Sequence, residues 1–123
     1  MREIKFRGKM PSGVWVYGSF WDHAVYPDII DEYSNHRLVY RDTVGQFTGL
    51  KDCEGREIYE GDVVRHENCI CLVVYNSTRF ASFALRKDGW AFDHYFGEAF
   101  DASECQVIGN VYDNPELLEV EHD

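Results

Sequence analysis

Three residues with metal-binding side chains, His66, Cys69 and Cys71, lie close together near the middle of the chain. Imidazole and thiolate are the usual ligands of structural zinc, and Cys53 or Cys105 could supply a fourth ligand. Structural zinc sites usually have C-x2-C or longer spacing, because that spacing lets both thiolates turn inward. The C-x-C spacing on a strand instead puts both cysteines on one face, where free cysteines behave as small buried hydrophobes. We therefore expect no metal and no other cofactor.

Two pairs of neighbouring residues place a carboxylate beside an imidazole: Asp22 with His23, and Asp93 with His94. Nucleophilic catalysis needs a nucleophile, a base and an orienting group that meet in space, whereas neighbours on a strand point to opposite faces. The sequence has no G-x-S-x-G or H-E-x-x-H motif, and its glycines lack the spacing of a phosphate-binding loop. We therefore expect that the protein is not an enzyme.

Aromatic residues make up 15% of the chain. Such rings can stack on the bases of single strands in small β-barrels, provided that a basic groove lies beside them. They can also fill the core of a β-sheet protein, which is the interpretation we favour. The candidates are Trp15, Tyr17, Phe47, Tyr59, Trp90 and Tyr95.

The formal net charge is −10, from 12 Lys and Arg against 22 Asp and Glu. An acidic protein is repelled by phosphate backbones, so this charge argues against non-specific nucleic-acid binding. The N-terminus is an exception, since it contains Arg2, Lys5, Arg7 and Lys9. We interpret the acidic excess as a solvated surface, with an acidic decoy for a basic site on a partner as the alternative.

The length of 123 residues predicts one domain over residues 1–123 with its own core. The N-terminus has no apolar signal region, and no apolar run approaches the roughly 20 residues of a membrane span. We expect a cytoplasmic protein that makes no membrane contact and keeps its cysteines reduced.

The N-terminal part shows a period of two, which predicts a hairpin of the strands Arg2–Arg7 and Val14–Phe20 around a turn at Pro11. In the half-buried first strand, Phe6 and Arg7 would lie on opposite faces. The segment Trp21–Arg41 has too little apolar periodicity for a clear assignment. We expect it to be irregular or to form one helical turn, followed by a short strand from Arg37 to Tyr40.

The stretch 43–65 carries glycine turns between short apolar runs, which predicts tight β-hairpins. Gly45 interrupts a strand candidate and indicates a bulge there. Gly55 ends the following turn and can take a positive φ. Asp62 can hydrogen-bond its own local backbone and so fix the next turn.

The C-terminal part is predicted to add the strands Ile70–Tyr75, Phe80–Leu85 and Gln106–Tyr112, with a short helix or a loop over Asp93–Ser103. Asn114 would cap a final helix that begins at a proline. Together the elements predict a mainly β protein (β-rich α+β). The fold would be a small SH3-like barrel or a bent antiparallel sheet with a short C-terminal helix.

Three sequence blocks resemble the YopX family of phage and prophage proteins. They are REIKFRGK at residues 2–9 with WVYG at 15–18, TVGQFTGLKDCEGREIYEGDVV at 43–64, and VIGNVYDNPELLE at 107–119. The resemblance implies a β-rich fold with a small barrel-like part around the second block, and an origin in a phage or prophage genome. It implies no biochemical role and no catalytic or ligand residues, because the family has none assigned.

The second block has two interpretations: its glycines and turn carboxylates specify a fold, or its turn is exposed as a binding edge. The candidate binding residues on the second interpretation are Phe47, Tyr59, Asp62 and Trp90. We expect a phage or prophage accessory protein that binds a protein, or another copy of itself, through an unpaired strand edge. The alternative is a nucleic-acid-binding barrel that uses the basic N-terminal strand.

Overall fold

Short alternating runs separated by glycine and aspartate turns form antiparallel strands in both halves of the chain. The computed structural model describes residues 5–22, 27–66, 69–76, 82–86, 93–95 and 102–118. The chain divides into two units, residues 1–49 and 50–123. The single domain expected from the length stays a prediction.

The first unit is built on an antiparallel sheet in the order β4-β3-β2-β1-β5. Strand β5 is long, and its last two residues already belong to the second unit. The bounds are β1 Phe6–Lys9, β2 Trp15–Asp22, β3 Pro27–Ile30, β4 His36–Leu38 and β5 Tyr40–Lys51.

The predicted N-terminal hairpin is confirmed, with β1 paired to β2 so that Arg7 lies opposite Tyr17 and Lys9 opposite Trp15. The start of the predicted first strand lies outside the described residues. The strand itself runs two residues further than expected, to Lys9. The turn closes through a bond from the Gly13 amide to the Met10 carbonyl (2.8 Å).

Among the described residues of the segment 21–41, the prediction of an irregular or helical course is wrong, whereas the short strand predicted from Arg37 to Tyr40 is present close to that position as β4, His36–Leu38. Strand β2 continues through Asp22. The next two strands, β3 and β4, form a second hairpin, in which β3 pairs with β2. Pro27 begins β3, and the first position of a strand tolerates a residue that lacks an N–H. Asp31 forms the turn between the strands, since its Oδ1 accepts the backbone N–H groups of Tyr33 and Asn35 (both 2.9 Å).

The irregularity predicted at Gly45 is confirmed as a register shift between β1 and β5. Arg7 pairs with Gly45, whereas Lys9 pairs with Tyr40, so β5 carries extra residues between these two pairs. Thr43 stabilises the bulge, because its hydroxyl accepts the Lys9 N–H (2.9 Å) and donates to the Tyr40 carbonyl (2.6 Å).

The second unit contains an open antiparallel sheet in the order β10-β9-β8-β7-β11. Among the described strands, its two outer strands do not pair with each other, so the bent-sheet form of the prediction fits and a closed barrel does not. The bounds are β6 Glu57–Tyr59, β7 Asp62–His66, β8 Cys69–Asn76, β9 Ser82–Arg86, β10 Asp93–Tyr95 and β11 Cys105–Asn110, with 3-10 helices at Ala102–Glu104 and Pro115–Leu118.

The core of the second unit lies on one side of this sheet. Its buried side chains come from β6, β7, β8, β11 and the 3-10 helix before β11. They are Ile58, Val64, Cys71, Val73, Ala102 and Cys105, with Cys69 and Val107 packed against them.

A short helix or a loop was expected over the segment 93–103. The structure instead has a strand at its start, Asp93–Tyr95, which pairs with β9. The expected C-terminal helix is present as the short 3-10 helix Pro115–Leu118, which contacts β8. The carbonyl of Asn114 accepts the Leu117 N–H (3.1 Å), whereas its side chain turns back to the Asn110 N–H (3.3 Å). Within the described part of the chain, no helix is long and apolar enough to cross a membrane.

Candidate binding surface

Three of the four cysteines considered as metal ligands are packing residues in the second unit, and the fourth, Cys53, is exposed. Cys71 and Cys105 are 3% and 0% exposed and lie in the core, and Cys69 packs against the same cluster. His66 lies opposite Cys69 on β8 and opposite Cys105 on β11. Among the residues that the structure describes, no three His, Cys, Asp or Glu side chains are grouped so that they could hold a metal ion.

Neither carboxylate–imidazole doublet is assembled into a site by the described residues. Asp22 forms an exposed ion pair with Arg41, whose Nη2 lies 2.8 Å from the Asp22 Oδ1. His23 lies outside the described residues, and Asp93 and His94 are described only as part of strand β10.

Three of the four predicted binding residues are buried. Phe47 is 5% exposed in the first unit, and Tyr59 and Asp62 are each 2% exposed in the second. Asp62 confirms the predicted turn, since its Oδ2 accepts the Tyr59 N–H at 2.7 Å. Trp90 lies outside the described residues. Binding through these side chains stays a prediction, and it would require them to become accessible.

The first sheet carries aromatic and basic side chains on one side. Residues directly opposite each other in an antiparallel pair point to the same face, and so do alternate residues along a strand. The register therefore places one set together, which we call the aromatic face. Its members are Arg7, Lys9, Trp15, Tyr17, Ser19, Trp21, Asp28, Ile30, His36, Leu38 and Tyr40.

Two contacts on the aromatic face join an aromatic ring to a second flat group. The guanidinium carbon of Arg7 lies 4.8 Å from the centroid of the Trp15 ring. The rings of Trp21 and His36 are 5.5 Å apart and tilted by 59°. Arg7 is only 6% exposed, although it lies on the opposite face of β1 from Phe6. The stacking on Trp15 explains this, because a guanidinium is weakly hydrated and packs well on aromatic rings.

Four large apolar side chains of the aromatic face are open to solvent. The exposed fractions are 47% for Tyr17, 50% for Trp21, 41% for Leu38 and 53% for Tyr40. An exposed set of large apolar side chains on one sheet face is a common mark of an interaction site. Tyrosine and tryptophan are also enriched at the buried centres of protein interfaces.

A groove of about 610 Å³ opens beside β2, within the size range of ligand-binding clefts. Its walls come from β2, the end of β3 and the Asp31 turn, and they include Lys5, Tyr17, Ser19, Glu32 and Tyr33. The strands approach closely there, because a Cβ added to Gly18 would lie 2.0 Å from the Ile30 carbonyl oxygen. Only glycine fits that position without moving β3.

The carboxylate of Asp31 holds the wall of this groove in place. Besides the two backbone donors in its turn, it accepts a hydrogen bond from Arg37 Nε at 3.2 Å. The bond from the Asn35 N–H, followed by those from Tyr33 and Arg37, outweighs partial desolvation and lowers the pKa of Asp31. The group therefore stays ionised at neutral pH, and the turn that carries Tyr33 is preorganised.

The outer edge of β11 is a second place where a partner strand could bind, but a turn of the same unit covers it. The Cys105 carbonyl accepts the Cys53 N–H (2.9 Å), and the Val107 N–H donates to Asp52 Oδ2 (2.8 Å). The Val107 carbonyl accepts Arg56 Nη1 (3.0 Å). The Asp52–Arg56 turn thus takes the place of a neighbouring strand and protects this edge.

The net negative charge belongs to the second unit. Residues 1–49 contain six Lys and Arg and six Asp and Glu, whereas residues 50–123 contain six and sixteen. The aromatic face therefore lies on a unit with no excess of either sign, and the acidic excess of the chain does not argue against binding there.

The sequence indicated part of this surface. The alternation of Trp15, Tyr17 and Ser19 predicts a shared face, and the structure extends that face to Trp21. Trp21 and Leu38 were missed because they lie in the segment without clear periodicity. The exposed position of Tyr33 had no sequence signal, since it depends on the turn that Asp31 forms.

Comparison with known proteins identifies the family. A search of curated proteins gives no match for this chain. The profile of the YopX protein family matches residues 19–119, which is most of the chain. The match includes the second and third sequence blocks and the segments between them, and it begins just after the first block. The chain therefore belongs to the YopX protein family.

Proposed function

We propose that this YopX-family chain is a phage- or prophage-encoded accessory protein of the cytoplasm that acts by binding a protein partner through its aromatic face. The observation that supports the proposal is the set of exposed side chains Tyr17, Trp21, Leu38 and Tyr40 on one sheet face. Such side chains gain the most from burial against another protein, at roughly 25 cal/mol for each Å² removed from water. No catalytic step is part of the proposal.

A protein fits this face better than a phosphate backbone. The basic N-terminal strand contributes Arg7, but that side chain is buried against Trp15. Lys5 directs its ammonium group toward Phe47, with Nζ 5.1 Å from the ring centroid. Cations that are buried or held on rings release few counterions on binding, and counterion release dominates the affinity for nucleic acids.

The partner is either a different protein or a second copy of this chain. Self-association through strand edges has less support than the sequence suggests, because the β11 edge is covered and β4 is short and charged. In β4, His36 Nδ1 lies 3.2 Å from Asp28 Oδ2 and Arg37 pairs with Asp31. Light scattering at high concentration separates the two cases: a dimer that Trp21→Ala dissociates supports a second copy, and a monomer supports a different protein.

The direct test is a pull-down with two tagged variants. Replacing Tyr17 and Trp21 together by alanine should remove the captured protein, because both side chains belong to the proposed contact. Tyr75→Ala is the matched control, since Tyr75 is an exposed aromatic residue (38%) of the second unit. Capture that all three forms share would contradict binding through the aromatic face.

A single-stranded nucleic acid is the second candidate ligand. The observation in its favour is that Lys9, Trp15 and Tyr17 share the aromatic face, which is the combination of a cation with rings that stacks bases. A gel shift at low salt that weakens steeply as salt rises would support this candidate. The absence of any shift at low salt would remove it.

A further inference from the structure

We infer that the groove beside β2 binds a cationic side chain, lysine or arginine, of the partner protein. This inference rests on the proposed function, because it specifies the chemistry of the partner segment. The groove is lined by two tyrosine rings and two carboxylates, against a single ammonium group.

The two rings supply the first part of the argument. Tyr17 and Tyr33 both line the groove and are 47% and 77% exposed, so a ligand can reach them. The face of an aromatic ring attracts a cation, and two rings flanking a cleft are the usual receptor for an organic cation. Burial of such large exposed rings also requires an occupant with an aliphatic stem, which both lysine and arginine have.

The charges supply the second part. Asp31 and Glu32 line the groove with Lys5, so its lining carries a net charge of about −1 when all three are ionised. The Lys5 ammonium group lies over the Phe47 ring, with Nζ 5.1 Å from the ring centroid, which fixes the direction of this one positive charge but does not remove it. Among the described residues, none makes a hydrogen bond or ion pair with the Glu32 side chain. Its carboxylate is therefore available to an incoming cation, whereas that of Asp31 is already paired with Arg37. Glu32 thus supplies the charge that would attract a cation and repel a phosphate or carboxylate ligand.

Preorganisation supplies the third part. Asp31 fixes the turn that presents Glu32 and Tyr33, through its bonds to Tyr33, Asn35 and Arg37. The close approach of Gly18 to the Ile30 carbonyl fixes the floor of the groove. A site that is ordered before binding loses less entropy when the ligand arrives.

The test uses arginine blocked at both ends (N-acetyl-arginine methylamide) and its neutral citrulline analogue as the matched control. Both are titrated into the whole protein while backbone amide NMR signals are recorded. We expect saturable shifts at Tyr17, Ser19 and Tyr33 with the arginine compound and at least about threefold weaker binding of the citrulline compound. Equal binding of the two compounds, or no saturable shift at these residues, would overturn the inference.

Variants locate the contact. Glu32→Gln and Tyr33→Ala should each weaken binding of the arginine compound about threefold to fivefold, because each removes one attraction to the cation. Asp42→Asn and Tyr75→Ala are the matched controls, since both residues are exposed, do not line the groove and lie outside the aromatic face. Unchanged affinity in Glu32→Gln and Tyr33→Ala would overturn the inference as well.

Failure of the cation inference can be distinguished from failure of the proposed function. If a partner protein is lost from the Tyr17 and Trp21 double variant but retained by Glu32→Gln, the aromatic face binds the partner and the cation inference fails. If the arginine compound binds the groove but no protein is captured, the cation site stands and the proposed function fails.

Discussion

At the scale of single residues, the Asp52 carboxylate binds three backbone N–H groups of the second unit. One oxygen accepts the backbone N–H groups of Glu54 and Arg56 (2.9 and 2.8 Å), and the other accepts the N–H of Val107. Asp52 is 5% exposed and its three hydrogen bonds are partly buried, so water has only limited access to these donors. The side chain therefore forms its own turn and joins that turn to the edge of the sheet.

Replacing Asp52 by alanine should lower the free energy of unfolding by about 3 kcal/mol, because the replacement leaves buried N–H groups unpaired. Asn should have a smaller effect, since its amide oxygen replaces one carboxylate oxygen but its NH₂ faces the remaining donor. Urea denaturation measures both changes. Asp42→Ala, at an exposed position, is the control and should stay within about 0.5 kcal/mol of the unmodified protein.

Stability should depend on pH through the same residue. Burial opposes the charged form of Asp52, but the bonds from Val107, Arg56 and Glu54 outweigh it and lower the pKa below the ordinary 3.8. A carboxylate with a lowered folded-state pKa contributes stability above its unfolded-state pKa and loses it as the pH falls through the folded-state value. Urea midpoints measured downward from pH 6 should therefore fall less in Asp52→Asn than in the unmodified protein. Parallel curves for the two proteins would contradict this assignment.

Gly13 and Gly61 have the same backbone φ of +93°. Replacing each by alanine therefore separates the cost of the left-handed conformation from the cost of a steric clash. A Cβ at Gly13 would meet nothing within 4 Å, whereas one at Gly61 would lie 2.9 Å from Cε2 of Tyr112. Both alanine variants should lose about 1 kcal/mol for the left-handed conformation, and Gly61→Ala should lose more because of the ring. Equal losses in thermal or urea unfolding would show that Tyr112 moves away without cost.

The same turn chemistry was predictable at one aspartate and not at another. Asp62 lies between glycine and a run of valines, so its role in a turn followed from the sequence, and the bond from the Tyr59 N–H confirms it. Asp31 has the same role, but it lies among Asp28, Glu32 and Tyr33, where no apolar alternation marks the flanking strands. The sequence therefore did not reveal the turn that shapes the groove.

At the scale of elements, β3 and β4 show how hard short strands are to detect, since β3 was missed and β4 was predicted only roughly, as a strand from Arg37 to Tyr40. They contain four and three residues, and two acid–base pairs cross between them or close the turn: His36 with Asp28, and Arg37 with Asp31. A pattern of alternating apolar and polar residues needs about four to eight positions to be visible. The longer strands β2 and β8 were predicted near their observed positions for the same reason, whereas only the middle of β5 was predicted.

The covered edge of β11 has a measurable consequence. The Val107 N–H points away from β7 and is bonded to Asp52 instead, so it should exchange slowly with deuterium although β11 is an outer strand. In Asp52→Ala the same amide should exchange much faster, while the amides of β8 in the middle of the sheet keep their protection. Fast exchange at Val107 in the unmodified protein would show that the Asp52–Arg56 turn does not protect the edge.

At the scale of the whole molecule, family membership and the mainly β fold could be predicted from sequence, whereas the binding surface could be predicted only in part. The sequence marks glycine turns and alternating strands directly. Which aromatic residues remain exposed depends on the packing of the folded chain: Phe47 and Tyr59 are buried, whereas Trp21 and Tyr33 are open. Burial of this kind is a property of long-range contacts, which no local pattern contains.

The central claim is that the aromatic face binds a protein, and capture from nuclease-treated lysate of cells that carry the gene tests it most directly. Tagged unmodified protein, the double variant Tyr17→Ala with Trp21→Ala, and Tyr75→Ala are compared by quantitative mass spectrometry. We predict one protein that the unmodified chain and Tyr75→Ala retain equally and that the double variant retains at least about tenfold less. Equal retention by all three forms, or capture of nucleic acid alone from untreated lysate, would contradict the claim.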